Sequence, residues 1–95
     1  MSTPESKVKE RVKKVLKFYG AYYHMPVQNG FGAPTLDFVC CYEGMYFAVE
    51  AKAPGKKPTP LQERTIQSIR DARGKVFVID GETYVLEEWL ELHKK

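Results

Sequence analysis

The first part of the chain places apolar residues among charged ones with the spacing of an amphipathic helix. One apolar stripe is formed by Val8, Val12, Val15, Leu16 and Tyr19. Positions three or four residues apart return to the same side of a helix, so the pattern predicts a helix over residues 4–19. Ser2 and Glu5 have the spacing of a capping box, Pro4 suits the first turn, and Gly20 is expected to end the helix.

The remaining apolar runs predict four strands and two further helices. The strands are expected over residues 22–27, 36–42, 45–52 and 75–79, the last of them central in the sheet. Thr59 followed by Pro60 has the features of a helix start, and Gly74 is the expected C-cap of that helix. A final helix containing Trp89 is expected over residues 83–93, although residues 83–86 could also form a strand.

The predicted order of elements is α-β-β-β-α-β-α. A hairpin followed by a strand-helix-strand crossover gives a mixed sheet with helices packed on it, which is an α/β fold. Ninety-five residues is the length of one domain. We therefore expect residues 1–95 to form a single domain.

The predicted hairpin places two acidic side chains opposite each other. With residues 43 and 44 as a two-residue turn, Asp37 lies directly across from Glu50. Opposed residues share a face, about 4.5–5.5 Å apart at Cβ, and the side-chain period of two adds Lys52 to that face. The other face is expected to be core and carries Leu36, Phe38, Cys40, Met45, Phe47, Val49 and Ala51.

Two opposed carboxylates repel each other and need a compensating group. A shared proton, the Lys52 ammonium or a metal ion could supply it. Oxygen ligands favour Mg²⁺ or Mn²⁺, and Mg²⁺ typically takes one or two carboxylates together with water and phosphate oxygens. The alternative is a purely structural ion-paired cluster of Asp37, Glu50 and Lys52 at a sheet edge.

Glu5 and Gln62 could each either cap a helix or take part in the site. Glu5 falls on the buried side of the first helix, where it either caps the helix from the third position or faces a metal site. Gln62 lies ten residues beyond Lys52 and either completes a capping box with Thr59 or orients a water or phosphate near the site. The two roles of Gln62 are compatible with each other.

The net charge of +3 is unevenly distributed along the chain. Residues 1–20 carry a net charge of +4 and residues 52–75 carry +5, whereas residues 21–51 and 76–95 carry −3 each. Two basic segments around an acidic centre suit a polyanion such as nucleic acid. A pair of solvated helix faces would produce the same pattern.

Residues that would support other kinds of chemistry are scarce. The adjacent Cys40 and Cys41 make neither a disulfide framework nor a four-ligand zinc site, and both are expected to be buried and reduced. His24 and His93 have no partner at the spacing of a catalytic triad or metal site. No phosphate-binding glycine loop is present either, so no small-molecule cofactor is expected.

The chain also has no sequence pattern that directs a protein to a membrane. No apolar run approaches the ~18 residues of a membrane span. The N-terminal residues contain no apolar signal segment. We therefore expect no membrane partner and a cytoplasmic location, which would be the host cytoplasm for a phage-encoded protein.

Several of these residues together resemble a known family. Asp37 with Glu50-Ala51-Lys52 resembles the Asp…Glu-x-Lys signature of the PD-(D/E)XK nuclease superfamily. The wider context, which is Gly-Ala-Pro-Thr-Leu-Asp over 32–37, Glu-Ala-Lys-Ala-Pro-Gly-Lys-Lys-Pro over 50–58 and the trailing Gln62, resembles the VRR-Nuc family. The match is best to its small stand-alone versions from phages and bacteria and covers residues 4–80. Many members place the Asp directly after the Pro, whereas two residues intervene here.

The resemblance implies a single VRR-Nuc-like domain with a PD-(D/E)XK α-β-β-β-α-β core and a C-terminal helix. It implies divalent-metal-dependent hydrolysis of DNA phosphodiesters by an endonuclease that uses Mg²⁺ or Mn²⁺. The metal ligands it implies are Glu5, Asp37, Glu50 and the Ala51 carbonyl, and the catalytic residues are Asp37, Glu50, Lys52 and Gln62. Stand-alone relatives act as homodimers on branched DNA, including four-way junctions.

Contacts with DNA are expected from the basic segments and one loop. The expected nucleic-acid-binding residues are Lys56, Lys57, Arg64, Arg70, Arg73, Gln28 and Asn29. No base-reading motif is visible, so recognition of the backbone and shape of DNA is expected. The alternative function is a nucleic-acid-binding module with a degenerate nuclease fold, and a third reading is a small structural domain with an ion-paired hairpin.

Overall fold

A four-stranded mixed sheet with helices on both faces forms the fold. The computed structural model describes residues 2–27 and 35–95. In chain order the elements are α1 (Pro4–Tyr19), β1 (Tyr22–His24), β2 (Phe38–Tyr42), β3 (Met45–Ala51), α2 (Pro60–Asp71), β4 (Lys75–Ile79) and α3 (Tyr84–His93). The predicted order and the mixed α/β class are confirmed.

Helix α1 has the predicted bounds, but its cap differs from the predicted one. Thr3 is the N-cap, and its side chain accepts from the backbone N–H of Ser6 while the Ser6 hydroxyl accepts from the Thr3 N–H. The predicted box of Ser2 and Glu5 is therefore wrong, because Pro4 occupies the first helical position and so makes Thr3 the cap. Gly20 ends the helix in the left-handed region, with φ 72°.

The β2–β3 hairpin has the predicted register. Its pairs run from Tyr42 opposite Met45 to Phe38 opposite Val49. The two turn residues, numbers 43 and 44, have φ values of 50° and 79°. Positive φ at both central positions is the conformation whose twist matches that of a tight hairpin. The turn therefore sets which residues face each other at the far end of the hairpin.

Strand β4 is an edge strand, so the prediction of a central position is wrong. The sheet order is β1-β2-β3-β4, with β4 parallel to β3 and the other pairs antiparallel. The crossover through α2 returns the chain beside β3, and the chain then leaves the sheet for α3. The guanidinium of Arg70 donates to the carbonyl of Val76 at 3.3 Å. That bond satisfies one backbone group on the open edge of the sheet.

Apolar packing lies on both faces of the sheet. The larger core joins α1 and α3 to one face and includes Val12, Leu16, Phe38, Phe47, Phe77, Leu86 and Leu90. The smaller one joins α2 to the other face and consists of Leu36, Ala48, Ile66 and Val76. Leu36 was expected on the same face as Phe38. It packs on the opposite side because the chain bends at Asp37 before β2 begins.

Two small residues behave differently from expectation. Gly74 is not the C-cap of α2; Ala72 is the cap and Arg73 has the left-handed φ of 74°. A Cβ at Gly74 would instead lie 2.6 Å from Ile69 Cγ2. Cys40 is buried as predicted, but Cys41 is exposed, because α2 covers β3 and β4 and leaves this position of β2 uncovered.

The C-terminal segment forms helix α3, and the alternative of a strand over residues 83–86 is wrong. Its buried residues, Leu86 and Leu90, join the larger core, and Trp89 packs against the rings of Phe47 and Phe77. Among residues 2–27 and 35–95, none of the helices is long and apolar enough to cross a membrane.

Candidate functional site

The open end of the hairpin, the start of α1 and the start of α2 line one cleft of about 340 Å³. The residues lining it are Glu5, Lys9, Met25, Pro26, Asp37, Glu50, Lys52 and Gln62. Five of these were predicted as site residues from the sequence. They come from segments far apart in the chain, so the fold gathers them at one place.

The carboxylates of Asp37 and Glu50 each accept a hydrogen bond from a backbone N–H of the opposite strand segment. The N–H of Asp37 donates to Glu50 Oε1 at 3.2 Å, and the N–H of Ala51 donates to Asp37 Oδ2 at 3.0 Å. These residues continue the hairpin one step past the pair of Phe38 and Val49. The predicted juxtaposition of the two carboxylates is therefore present, and their orientation is held by the main chain.

The electrostatic environment opposes ionisation of both acids. Glu50 is only 2% exposed. Burial, and next the negative charge of Asp37, raise the pKa of Glu50 to about 7. Burial also raises the pKa of Asp37, against the opposing effects of the Ala51 N–H and the Lys9 ammonium. A positive charge placed between the two carboxylates would favour the ionised form of both.

Lys52 and Gln62 surround the second oxygen of Glu50. The Gln62 side-chain amide donates to Glu50 Oε2 at 2.8 Å, and Lys52 Nζ lies 3.9 Å from that same oxygen. Gln62 Oε1 accepts from the Thr59 N–H at 2.9 Å and from Lys52 Nζ at 3.3 Å. Gln62 thus completes the capping box of α2 and contacts the buried acid at the same time, which are the two roles that its position suggested.

Glu5 faces the cleft and does not cap α1. Its carboxylate lies 3.6 Å from Lys9 Nζ, and its charge contributes to the raised pKa values of Asp37 and Glu50. Lys9 Nζ lies 3.7 Å from Asp37 Oδ1. Lys9 was not among the site residues predicted from the sequence. Its position four residues after Glu5 on one helix was the available signal, since such residues are neighbours on a helix surface.

The oxygen donors in the cleft fit a hard divalent cation. Asp37 and Glu50 offer carboxylate oxygens, and the Ala51 carbonyl points to the β2 side of its strand, as its N–H does. Within the described part of the chain, no three His, Cys, Asp or Glu side chains are gathered closely enough to hold a metal ion. A pair of carboxylates that leaves positions for water and phosphate suits Mg²⁺ or Mn²⁺.

Comparison with solved structures identifies the fold of the chain. The chain is similar to a VRR_NUC domain with a TM-score of 0.75 and 23% sequence identity, over 99% of this chain and 100% of that one. The chain has the VRR_NUC fold. A scan against models of protein families and a search of curated proteins find no match. The resemblance inferred from the hairpin is thus confirmed at the level of the fold.

The VRR_NUC fold places four of the five predicted basic residues on two surfaces, and the fifth, Arg70, donates to the Val76 carbonyl at the edge of the sheet. Lys56 and Lys57 line a cleft that also contains Asp80, whose carboxylate accepts from the Gly55 N–H at 3.2 Å. Arg64 and Arg73 line a larger groove of about 880 Å³, which none of the acidic site residues lines. Gln28 and Asn29, also predicted to bind nucleic acid, lie outside the described residues.

Proposed function

We propose that this protein is a divalent-metal-dependent DNA endonuclease that hydrolyses phosphodiester bonds. The observation that carries the proposal is the buried Glu50, held against Asp37, with Lys52 beside it in one cleft. A pair of mutually repelling carboxylates costs stability unless a proton or a positive charge compensates it, and a bound metal ion would supply such a charge. The VRR_NUC fold supports the same conclusion, and we take residues 1–95 as one domain of that type.

In this proposal Asp37, Glu50 and the Ala51 carbonyl hold Mg²⁺ or Mn²⁺. When bound, such an ion offsets phosphate charge and lowers the pKa of a bound water. The two carboxylates need no reorganisation, since backbone N–H groups already orient them. Glu5 adds negative charge at the edge of the cleft. Products with a 5′-phosphate and a 3′-hydroxyl are expected.

Lys52 and Gln62, which both lie beside Glu50, assist the reaction in different ways. The Lys52 ammonium can hydrogen-bond the attacking water and stabilise the charge that develops on phosphorus-bound oxygens. Gln62 fixes the orientation of both Glu50 and Lys52 through its hydrogen bonds to their side chains. Hydrogen-bond donors that are held in place stabilise negative charge more strongly in a partly buried cleft than in water.

We propose branched DNA, such as a four-way junction, as the preferred substrate. The resemblance to small stand-alone nucleases motivates this choice. Lys56 and Lys57 lie just beyond the site on an exposed loop and supply phosphate contacts, which makes binding salt-dependent. The protein is expected to act in the cytoplasm.

We further propose that the protein acts as a homodimer. Tyr22, Cys41 and Tyr46 form a row across three strands and are all exposed. A contiguous exposed patch that contains aromatic residues is suited to an interface. Two other aromatic residues, Tyr23 and Trp89, pack against the larger core and are therefore not part of this row. Sedimentation of wild type and Tyr46→Glu tests this, and a wild-type monomer would contradict it.

Cleavage assays with labelled linear, flap and four-way-junction DNA test the activity. Each substrate is incubated with wild type, Lys52→Ala or Lys13→Ala in Mg²⁺, Mn²⁺ or EDTA. We expect metal-dependent cleavage, fastest on the junction, that is lost in Lys52→Ala and kept in Lys13→Ala. Lys13 is a matched control because it is also ion-paired, but to Glu10 on the surface of α1.

Two negative outcomes would have different meanings. Folded protein that binds DNA but cleaves no substrate in any metal would indicate a non-catalytic binding module. Absence of DNA binding, together with a melting temperature that Mg²⁺ leaves unchanged, would indicate an ion-paired structural domain, because a ligand that binds only the folded state must stabilise it.

A further inference from the structure

Lys9 lies on α1 and contributes a long cationic side chain to the cleft. Its ammonium lies 3.6 Å from Glu5 Oε2 and 3.7 Å from Asp37 Oδ1. The Asp37 side chain is mostly buried, with 11% of its surface exposed, whereas Lys9 keeps 30%. The ammonium therefore lies at the mouth of the cleft, and the carboxylate it approaches lies inside.

The two ion pairs of Lys9 are long, so they are weaker than charge-assisted hydrogen bonds. Both exceed the roughly 2.7–2.9 Å of a charge-assisted hydrogen bond. Asp37 Oδ2, by contrast, is held by the backbone N–H of Ala51. Lys9 thus supplies charge to Asp37 without fixing it, and a flexible four-carbon stem allows its ammonium to move.

A divalent cation bound at Asp37 would repel the Lys9 ammonium. Two positive centres within about 4 Å repel each other, even in a solvated cleft. Lys9 neutralises the same carboxylate that the proposed function assigns to the metal, so the two cations compete for it. Once displaced, an ammonium at the cleft mouth lies where an anionic substrate must enter.

We propose that Lys9 is a displaceable counter-ion of this site, which pairs with Glu5 and Asp37 in the metal-free protein and moves to a phosphate oxygen of DNA when a divalent cation binds. The inference rests on the proposed function. It adds a substrate-contacting residue and a reason why the acidic cleft is stable without metal. Lys52 differs from it, because Lys52 contacts Glu50 and Gln62 deeper in the cleft.

The first test measures metal binding without DNA. Wild type, Lys9→Met and Lys13→Met are titrated with Mn²⁺ while thermal unfolding is followed. Without metal at pH 8, Lys9→Met is expected to melt below wild type. It is also expected to bind Mn²⁺ about three- to thirty-fold more tightly, because one repelling charge is removed. Lys13→Met should match wild type in Mn²⁺ affinity. Unchanged or weaker Mn²⁺ binding by Lys9→Met would overturn the competition.

The second test measures cleavage at saturating Mn²⁺ over a range of salt concentrations. Lys9→Met is expected to lower kcat/KM about tenfold and to reduce the salt slope by about one phosphate contact. Lys9→Arg, which retains the charge, should recover most of the loss, and Lys9→Gln provides a second neutral variant. Wild-type cleavage and salt slope in both neutral variants would overturn the phosphate contact.

The tests separate this inference from the proposed function. If wild type binds Mn²⁺ and cleaves DNA while Lys9→Met behaves identically, only the role of Lys9 fails. If wild type neither binds Mn²⁺ nor cleaves DNA, the proposed function fails and this inference fails with it.

Discussion

The Gln62 side-chain amide donates a 2.8 Å hydrogen bond to the Glu50 carboxylate while its carbonyl oxygen accepts from the N–H of Thr59. One side chain therefore joins the first turn of α2 to the buried acid at the end of β3. Because the capping box restrains the Gln62 rotamer, it also restrains the direction from which Glu50 is contacted. A local helix signal and a site contact are thus carried by the same residue.

Gln62→Ala should therefore lower kcat by more than its small loss of unfolding free energy can explain. Thr59→Ala is the matched control, since it disrupts the same capping box but leaves the Glu50 contact in place. Each variant should lose about 1 kcal/mol of unfolding free energy. Gln62→Ala should lower kcat about tenfold or more, while Thr59→Ala should stay near wild type. Equal kcat values for the two variants in the cleavage assay would contradict this.

Glu50→Gln should stabilise the metal-free protein at alkaline pH. The folded state raises the pKa of Glu50 from 4.5 to about 7. An acid with a raised pKa binds its proton more tightly when folded, so its favourable contribution is complete below pH 4.5 and is lost as pH rises through about 7. The variant should gain about 1–2 kcal/mol at pH 8, which is less than removal of the charge alone would give, because one of the two donors that contact Glu50 loses its acceptor.

Urea unfolding at several pH values, with EDTA present, checks this expectation. The dependence of stability on pH from about 5 to 8 should be flatter in Glu50→Gln than in wild type. Glu10→Gln is the control, because ion pairing with Lys13 lowers the pKa of that exposed acid. A Glu50→Gln protein that is less stable than wild type at pH 8, or that still gains stability from Mg²⁺, would argue against this view of the site.

Gly74→Ala should destabilise the fold through a direct clash. The added Cβ would lie 2.6 Å from Ile69 Cγ2 and 3.1 Å from Tyr46 Cδ1. Ile69 packs against the smaller core, so relief of the clash displaces side chains there. The expected loss is about 1–3 kcal/mol. Gly81→Ala, where a Cβ meets nothing within 4 Å, should stay within about 0.5 kcal/mol of wild type in urea unfolding.

Asp80→Ala should weaken DNA binding through the loop that follows Lys52. Asp80 Oδ2 accepts from the Gly55 N–H, and Gly55 has φ 80° next to Lys56 and Lys57. Without this bond the loop is less ordered, and KM should rise about two- to tenfold, the equivalent of one hydrogen bond. Asp80→Asn removes the same charge but keeps an acceptor, so it should bind more tightly than Asp80→Ala. Equal KM values would show that the bond does not position the loop.

Much of the site could be predicted because its cause is local. A two-residue turn at 43 and 44 sets the hairpin register, and that register alone brings Asp37 to Glu50. The capping pattern places Gln62 on the first turn of α2, and the apolar stripe places Glu5 on the buried side of α1. Each inference needs only turn length, side-chain period or helical periodicity, which neighbouring residues determine.

The sequence by itself thus determined the elements, the hairpin register and the pairing of the two acids. Only the tertiary structure decided that β4 lies at an edge, that Cys41 is exposed, that Gly74 is needed for close packing, and that Lys9 reaches Asp37. Those outcomes depend on which edges and faces other segments cover. Packing between distant parts of the chain sets that coverage, and the periodicity of a single element carries no information about it.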